Sequence, residues 1–395
     1  MAPSDPNTPV GARIAAARRA RRMEQGELAA LACVSLSTIK KIEQGKRNPG
    51  EDVLDAIAEA LDIDPARLLG SARRSDSRIH AAVPALRAAV DAYDLPDDGP
   101  VRDPAALRSS VADLEGWRLA SRYTQLARAL PEPLAELSRA VQSLTGEERL
   151  DAARLLASAY RSADAVAYKY GYHDLSARLI ELMRWAACNA EDPVLEATAA
   201  YVRMEVFFAS RQPVSLSAGL RTLQAAIDRA PAPDAVAARA AVGALHMRAA
   251  VAAGRMKDAT TAEVHLAEAK ALCSSVREGV YLGTAFGPSS YRVHEVAVGV
   301  ELNDGPAVQA AARQWKPPLE LPAERRSHYY IDVARAQLWQ NLGDDAFESL
   351  RVARRIAPQH CHEHPQVHET MRSLVRTKSS DRESLIGYAK WVGVI

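Results

Sequence analysis

Residues 25–61, QGELAALACVSLSTIKKIEQGKRNPGEDVLDAIAEAL, decide how the N-terminal part of this chain folds. Ser35 stands where a side-chain oxygen can accept from a first-turn backbone N–H, so it opens a helix over Leu36–Gln44. Ile39 and Ile42, three apart, give that helix one apolar stripe for a core. Gly45 ends it, because a left-handed residue costs glycine little. Upstream, Leu28, Ala29 and Ala32 mark a short helix from Gln25, with Glu24 as a weaker cap than Ser or Thr. Downstream, Glu51 and Asp52 follow Asn48-Pro49-Gly50 and face the positive end of a fourth helix, whose apolar residues Val53, Leu54, Ile57, Ala58 and Leu61 recur at helical spacing. Farther out, Ile14 and Ala17 give Gly11–Arg22 an apolar face, and Asp64-Pro65 caps a last turn ending in Leu68-Leu69-Gly70. The expectation is five short helices over 11–69.

Charge sharpens that expectation. Lys+Arg 50 against Asp+Glu 49 leaves a net charge of +1, which excludes a uniformly basic nucleic-acid coat. Residues 10–50, however, carry nine Lys/Arg against three acids, and residues 51–64 carry six acids and no base. A basic face backed by an acidic one suits a module that turns one side to a polyanion.

The residues Gln25-x-x-Leu28-Ala29, Val34-Ser35-x-Ser37-Thr38-Ile39, Ile42-Glu43-x-Gly45-Lys46-Arg47-x-Pro49 and Leu54-x-x-Ile57-Ala58-x-Ala60-Leu61 resemble the DNA-binding domain of the phage-repressor-like (XRE) helix-turn-helix family. The resemblance covers about sixty residues and implies that the second helix of the pair enters the major groove of double-stranded DNA. It implies that Leu36, Ser37 and Lys41 face bases, with Lys40 at the groove edge, Lys41 donating to guanine and Leu36 packing on a thymine methyl. It assigns Arg18, Gln25, Ser35, Gln44 and Lys46 to phosphates. Glu43 is read as a structural partner, because phosphate repels a carboxylate. Where the family usually has Gly, this chain has Cys33, either a small apolar filler or a redox-sensing thiol. One such module reads few base pairs, so a homodimer on an inverted repeat is expected.

Beyond residue 70 the pattern changes. Ser71–Arg78 is small and polar, Ile79–Tyr93 reads as a helix, and Leu95-Pro96-Asp97-Asp98-Gly99-Pro100 is the strongest break in the chain. The expected organisation is a disordered 1–9, a DNA-binding domain at 10–70, a linker with one helix at 71–104, and a helical-repeat sensor and dimerisation domain at 105–395. In that last region, turns follow long helices at Gly171, Arg211, Gly254, Asn303 and Gly343, spaced by 40, 43, 49 and 40 residues. Second helices are expected at Leu175–Ala190, Leu216–Ala230, Ala259–Leu272, Ala307–Gln314 and Ala346–Ala357, with no convincing strand. This is a tetratricopeptide-like α-solenoid with a period longer than the standard 34. The fold class is therefore all-α. The whole arrangement resembles the multi-repeat XRE regulators common in actinobacteria. At the level of architecture it also resembles the peptide-sensing regulators of Gram-positive bacteria, in which asparagines clamp a peptide backbone. Here the repeat region holds only Asn189, Asn303 and Asn341.

Candidates for lining a ligand groove are polar and aromatic residues of the first helices: Arg161, Tyr168, Tyr201, Arg203, His246, Arg248, Tyr291, His294, Tyr329 and Tyr330. Each has a packing alternative. The segment Phe286-Gly287-Pro288-Ser289-Ser290 is expected to be a loop that borders the groove, and Arg203 to suit an acidic ligand or a peptide C-terminus. The run His360-Cys361-His362-Glu363-His364, with His368, has ligand-type side chains but no second ligand pair in sequence, so a solvated interhelix loop is expected and no metal or other cofactor. Nucleotide-loop, zinc-protease and nucleophile-elbow motifs are missing from the sequence, which argues against an enzyme. Four dispersed cysteines and no long uncharged apolar run suggest the cytoplasm and no membrane partner. The sequence thus points to a transcriptional regulator whose repeats bind a peptide or small-molecule effector, or alternatively dock a partner protein.

Overall fold

A computed structural model describes residues 9–21, 23–61, 68, 74–210, 212–232, 234–377 and 382–395. The chain divides into two units, Met1–Ala81 and Ala82–Ile395.

In the first unit, α1 (Val10–Ala20), α2 (Gln25–Leu31), α3 (Leu36–Glu43) and α4 (Glu51–Ala60) enclose one core of Ile14, Leu28, Ile39, Ile42, Leu54, Ile57, Leu61 and Leu68. Of the fifth helix expected over 64–69, only Leu68 is among the described residues, and it is buried. The weak cap at Glu24 is compensated: its backbone N–H donates to the Glu27 carboxylate at 2.7 Å, and its own carboxylate takes the N–H of Glu27 in return. Ser35 caps α3 by accepting from the Thr38 N–H at 3.1 Å. Past the helix, Gly45 takes φ +71 and lets the Lys46 N–H reach back to the Lys41 carbonyl at 2.9 Å. Where α1 crosses α3, Gly11 lies against the backbone: a methyl group there would stand 1.9 Å from the Ile42 carbonyl oxygen.

The next helix, α5 (Arg74–Asp91), begins before the expected Ile79 and crosses the boundary between the units. Residues 74–78 contain no Gly or Pro, so nothing stops the helix from starting early.

The second unit is built from helical hairpins. After α6 (Pro104–Leu119), α7 (Tyr123–Ala129) and α8 (Pro131–Ser143), five pairs follow. They are α9 (Gly146–Lys169) with α10 (His173–Asn189), α11 (Pro193–Ser210) with α12 (Pro213–Arg229), α13 (Val236–Arg255) with α14 (Ala259–Cys273), α15 (Pro288–Glu301) with α16 (Gly305–Gln314), and α17 (Ala323–Trp339) with α18 (Gly343–Ile356). Each second helix falls where the turn spacing puts it. First helices also stack on one another, α11 on α13, α13 on α15 and α15 on α17, so the pairs form a continuous helical repeat. The short α19 (Pro358–Glu363), then α20 (Pro365–Thr377) and α21 (Arg382–Val392), close the stack over Phe347, Leu350, Met371 and Tyr388. Helix α13 is long and apolar enough to cross a membrane by composition, but it is a core helix here, with Ala244, Leu245, Met247 and Ala250 buried.

Four turns share one bond. Tyr172 N–H reaches Ala167, Asp258 reaches Ala253, Asp304 reaches Gly299 and Leu342 reaches Gln337, each at 2.8–3.0 Å and each spanning five residues. The residue before the donor is left-handed in every case: Gly171, Lys257, Asn303 and Asn341.

A small sheet interrupts the repeat where none was expected. β1 (Gly279–Tyr281) pairs antiparallel with β2 (Thr284–Phe286), Val280 opposite Ala285. The two-residue turn Leu282-Gly283 has φ of +44 and +75, the conformation that matches strand twist in tight hairpins. Phe286 thus ends a strand and is buried against Gly243, and Pro288–Ser290 opens α15 instead of forming a loop.

Candidate functional site

Two places gather functional side chains, one in each unit. In the first, Ile39 and Ile42 fix which side of α3 faces the core. Leu36, Ser37, Lys40 and Lys41 are left exposed on the other, and Gln44, Lys46 and Arg47 continue that face beyond the helix end. Leu36 keeps 41% of its surface in solvent, an apolar residue left uncovered by the described residues of the unit. Ser35 is exposed, and its hydroxyl also meets those of Thr38 at 2.9 Å and Ser37 at 3.2 Å. An apolar tip, small hydroxyls and four cations along one exposed edge suit the floor and phosphate walls of a DNA groove.

Arg18 departs from the expectation. Its guanidinium grips Glu43 with two bonds, Nε to Oε1 at 2.8 Å and Nη2 to Oε2 at 2.9 Å, while Nη1 donates to the Met23 carbonyl at 2.7 Å. A guanidinium used on all three sides, with a largely buried side chain, ties α1 to α3 and is not offered to phosphate. Glu43 is the structural partner it was read to be, and it also accepts from Gln25 Nε2 at 2.7 Å. Gln25 therefore positions α2 against α3 with the amide nitrogen assigned to phosphate. Burial pushes the Glu43 carboxyl up, but the bonds from Arg18 and Gln25 outweigh it and hold its pKa below the ordinary 4.5. Cys33 is exposed with φ +52, so it fills no core position; it occupies the left-handed turn where glycine would sit unstrained.

In the second unit, charged groups converge on Tyr201. Its hydroxyl accepts from Arg325 Nη2 at 2.7 Å, the Arg248 guanidinium lies 4.4 Å from its ring centre and that of Arg161 lies 5.9 Å away. Burial pushes this hydroxyl up, but the guanidiniums of Arg248, Arg325 and Arg161 more than offset it, so its pKa falls below 10. Arg248 pairs with Glu205 at 2.9 Å and Lys169 with Glu324 at 2.9 Å. Two guanidiniums differ: Arg161 donates to the Leu282 carbonyl at 2.8 Å and Arg118 to the Gly283 carbonyl at 3.0 Å, holding the hairpin tip. Both are more than nine-tenths buried, and Arg118 Nε has no hydrogen-bond partner. Burial lowers the Arg161 pKa to about 9.

Among the sequence candidates, Arg161, Arg248 and Tyr201 meet directly, while Tyr168 and His294 feel the charges of the same network. The others lie elsewhere. Arg203 makes a half-exposed ion pair with Glu181 at 3.7 Å, His246 faces His265 at 3.0 Å, and the Tyr291 hydroxyl meets Glu295 at 3.3 Å. The backbone N–H of Ser289 is taken by Glu278 at 2.7 Å, capping α15. The three asparagines are structural too: Asn189 accepts from Arg149 and donates to the Trp185 carbonyl, and Asn303 and Asn341 occupy left-handed turns. Sequence reading missed Arg118, Lys169, Glu205, Glu324 and Arg325. The available signal was charge set among alanines and apolar residues in first helices. A cavity of about 70 Å³ beside Arg161 is bordered by Glu115, Ser158, Met183 and Leu282, and a second of about 170 Å³ lies by Arg292 and Trp315.

The first unit contains a helix-turn-helix DNA-binding domain of the XRE type. Residues 14–68 match the family described as Helix-turn-helix. Curated proteins offer no match to the chain. Solved structures offer distant likenesses. PlcR of Bacillus thuringiensis, in complex with the peptide PapR7 and DNA, is 15% identical, with 67% of this chain and 94% of that one covered and a TM-score of 0.28. Apo ComR of Streptococcus vestibularis is 11% identical, with 98% of each chain covered and a TM-score of 0.29. ComR of S. thermophilus, in complex with DNA and its signalling peptide ComS, is 11% identical, with 97% and 99% covered and a TM-score of 0.27.

Proposed function

We propose that the chain is a sequence-specific transcriptional regulator that binds operator DNA through α3 as a homodimer, and whose helical repeat binds an effector that controls that binding. The carrying observation for DNA is the locked recognition helix: Glu43 engages Arg18 and Gln25 behind it, leaving Leu36, Ser37, Lys40 and Lys41 exposed in front. Lys41 donates to base edges, Lys40 lies at the groove edge, and Gln44 and Lys46 meet phosphates. Ser35 holds the start of α3 with its hydroxyl and contributes to a phosphate contact from the same place. Two copies reading two half-sites supply the specificity that one small module lacks.

For the effector, a peptide suits the second unit better than a compact metabolite. The groups around Tyr201 come from four of the five first helices, α9, α11, α13 and α17, and both cavities are well below the ~300 Å³ that encloses a drug-sized ligand. An extended ligand can touch all four helices, and its carboxylate would find two guanidiniums without carboxylate partners, Arg118 and Arg161. By linkage, operator DNA must then change effector affinity by the factor that effector changes DNA affinity.

The test is a mobility shift on the DNA flanking the protein's own gene, titrated with salt and repeated with fractionated cell extract. Light scattering on the complex gives the stoichiometry. A salt-sensitive shift by two chains per site, altered by a protease-sensitive low-mass fraction, supports the proposal. Effect of a high-mass protein fraction alone would replace the peptide with a docked partner protein. A single chain on the operator would reject the dimer.

A further inference from the structure

The folded second unit brings His328 to His360 and His364, two histidines of the run whose sequence pattern suggests a solvated interhelix loop. That segment is neither solvated nor a loop: it forms α19, with His360 and Cys361 fully buried. His328 comes from α17, His360 from α19, and His364 from the residue just after α19. One nitrogen from each lies within 4.8 Å of the other two. Cys361 takes no part, since its sulfur pairs with the Tyr388 hydroxyl at 3.0 Å. His362 is turned to Glu363 and Trp391, and His368 Nε2 to the His362 carbonyl at 2.7 Å.

Hydrogen bonding leaves this cluster incomplete. His364 Nε2 meets His328 Nδ1 at 3.2 Å, but both ring nitrogens of His360 and Nδ1 of His364 are buried with no hydrogen-bond partner. Buried polar atoms are rarely left so, and an ion among the three rings would take one nitrogen from each, His360 included. We propose that His328, His360 and His364 bind one divalent transition-metal ion of the zinc class, joining α17 to α19 at the C-terminal end of the repeat.

The chemistry of the donors fits. Three imidazoles without a thiolate suit zinc, cobalt, nickel or copper, and leave a fourth position for water or another donor. At Zn–N distances of ~2.05 Å a tetrahedral site separates its nitrogens by roughly 3.3 Å, so the rings close by small rotations from their present spacing. Asp332 is placed for outer support: its buried Oδ2 lies 3.5 Å from His328 Nε2 without a hydrogen bond, and the small ring rotation that brings His328 onto an ion would let it take that N–H. The surrounding charges are Lys169, paired with Glu324, together with Arg325 and Arg335. His328, 31% exposed at its side chain, gives the ion a way in.

The test uses the full chain, freed of any polyhistidine tag and stripped with chelator. Zn²⁺ is titrated in competition with a chromogenic chelator, and Co²⁺ is added separately for its visible absorption. One equivalent per chain, with the absorption of a four-coordinate nitrogen site, is the expected result. His328→Gln should weaken binding at least tenfold and Asp332→Asn by about tenfold, while the His362→Gln/His368→Gln double variant should bind like the parent. Because His360 is fully packed, the half-exposed His328 carries the test, and circular dichroism of the metal-free variant confirms its fold. Absence of one-equivalent binding by the folded parent, undiminished binding by His328→Gln, or loss only in the His362/His368 variant would each overturn the site.

Discussion

Cys33 holds a backbone conformation, φ +52, that costs an L-residue roughly 1–2 kcal/mol and a glycine far less, while glycine gives back about 0.5–1 kcal/mol in chain entropy. Cys33→Gly should therefore stabilise the first unit by up to about 1 kcal/mol with DNA affinity unchanged; urea melts of residues within the full chain, followed by a probe in that unit, measure it. Destabilisation would mean that the thiol has a contact of its own. On the exposed face, two lysines should separate by kind. Lys41→Ala should cost ~1–3 kcal/mol on the best operator and blunt discrimination at one base pair. Lys46→Ala should weaken all sequences alike and flatten the salt dependence by about one counterion. Binding isotherms on operator and scrambled DNA at several salt concentrations decide between these roles. Residue chemistry on α3 was legible because helical period alone separates Ile39 and Ile42 from Leu36, Ser37, Lys40 and Lys41. Arg18 was not legible as a structural residue, since its partner Glu43 lies 25 positions away and only the crossing of α1 over α3 joins them.

That crossing belongs to the next scale. Helices α1 and α3 approach so closely at Gly11 that even a methyl group meets the Ile42 carbonyl. Gly11→Ala should force α1 away, loosen the Arg18–Glu43 bonds, and cost about 1–3 kcal/mol in the first unit together with a loss of operator affinity. Thermal unfolding and a mobility shift on the same variant check both; an unchanged melting temperature would refute the close packing. Elements with strong punctuation could be read ahead of the structure. The repeat turns at Gly171, Lys257, Asn303 and Asn341 all need a left-handed residue followed by a return bond, and Gly or Asn near a following Asp marks most of them. Strands β1 and β2 have three residues each, too short for an alternating pattern, and their turn begins with Leu282, whose left-handed φ no sequence rule favours. The metal cluster escaped for a related reason: His328 and His360 are separated by a whole hairpin, and only the stacking of α19 on α17 makes them neighbours.

At the scale of the molecule the second unit holds buried histidines with no counterpart among the described residues of the first, and acid should distinguish the two. In the second unit, burial lowers His294 to about 3 and, aided by His265, lowers His246 to about 4; His265 is lowered by burial as well. Besides burial, the charges of Arg325 and Arg248 resist a proton on His294, and the bond between its Nδ1 and the Ser290 carbonyl, which favours the protonated ring, offsets them only in part. A histidine whose folded pKa is depressed contributes its full stability above the unfolded value of 6.5 and loses it as pH falls toward the folded value. At about 1.4 kcal/mol per unit, His294 alone accounts for a few kcal/mol. Asp164 and Asp332 run the other way, because burial raises both, Asp332 to about 6, and their protonation on acidification returns part of that loss. The first unit relies on Glu43, whose pKa lies below 4.5, so its ion pair persists until pH falls past that value. Calorimetry of the full chain should accordingly show the transition of the second unit moving to lower temperature between pH 7 and about 5, while the transition of the first unit holds. His294→Gln should flatten the first of these slopes, since glutamine keeps a hydrogen-bond donor and acceptor but cannot take up a proton. A second-unit midpoint that stays level down to pH 5 would show that the buried histidines titrate freely, and the electrostatic picture of the repeat would have to be given up. Under the proposed function the order of events bears on regulation: mild acid should loosen the repeat while leaving α3 folded, so the proposed effector response should be lost before operator binding as pH falls.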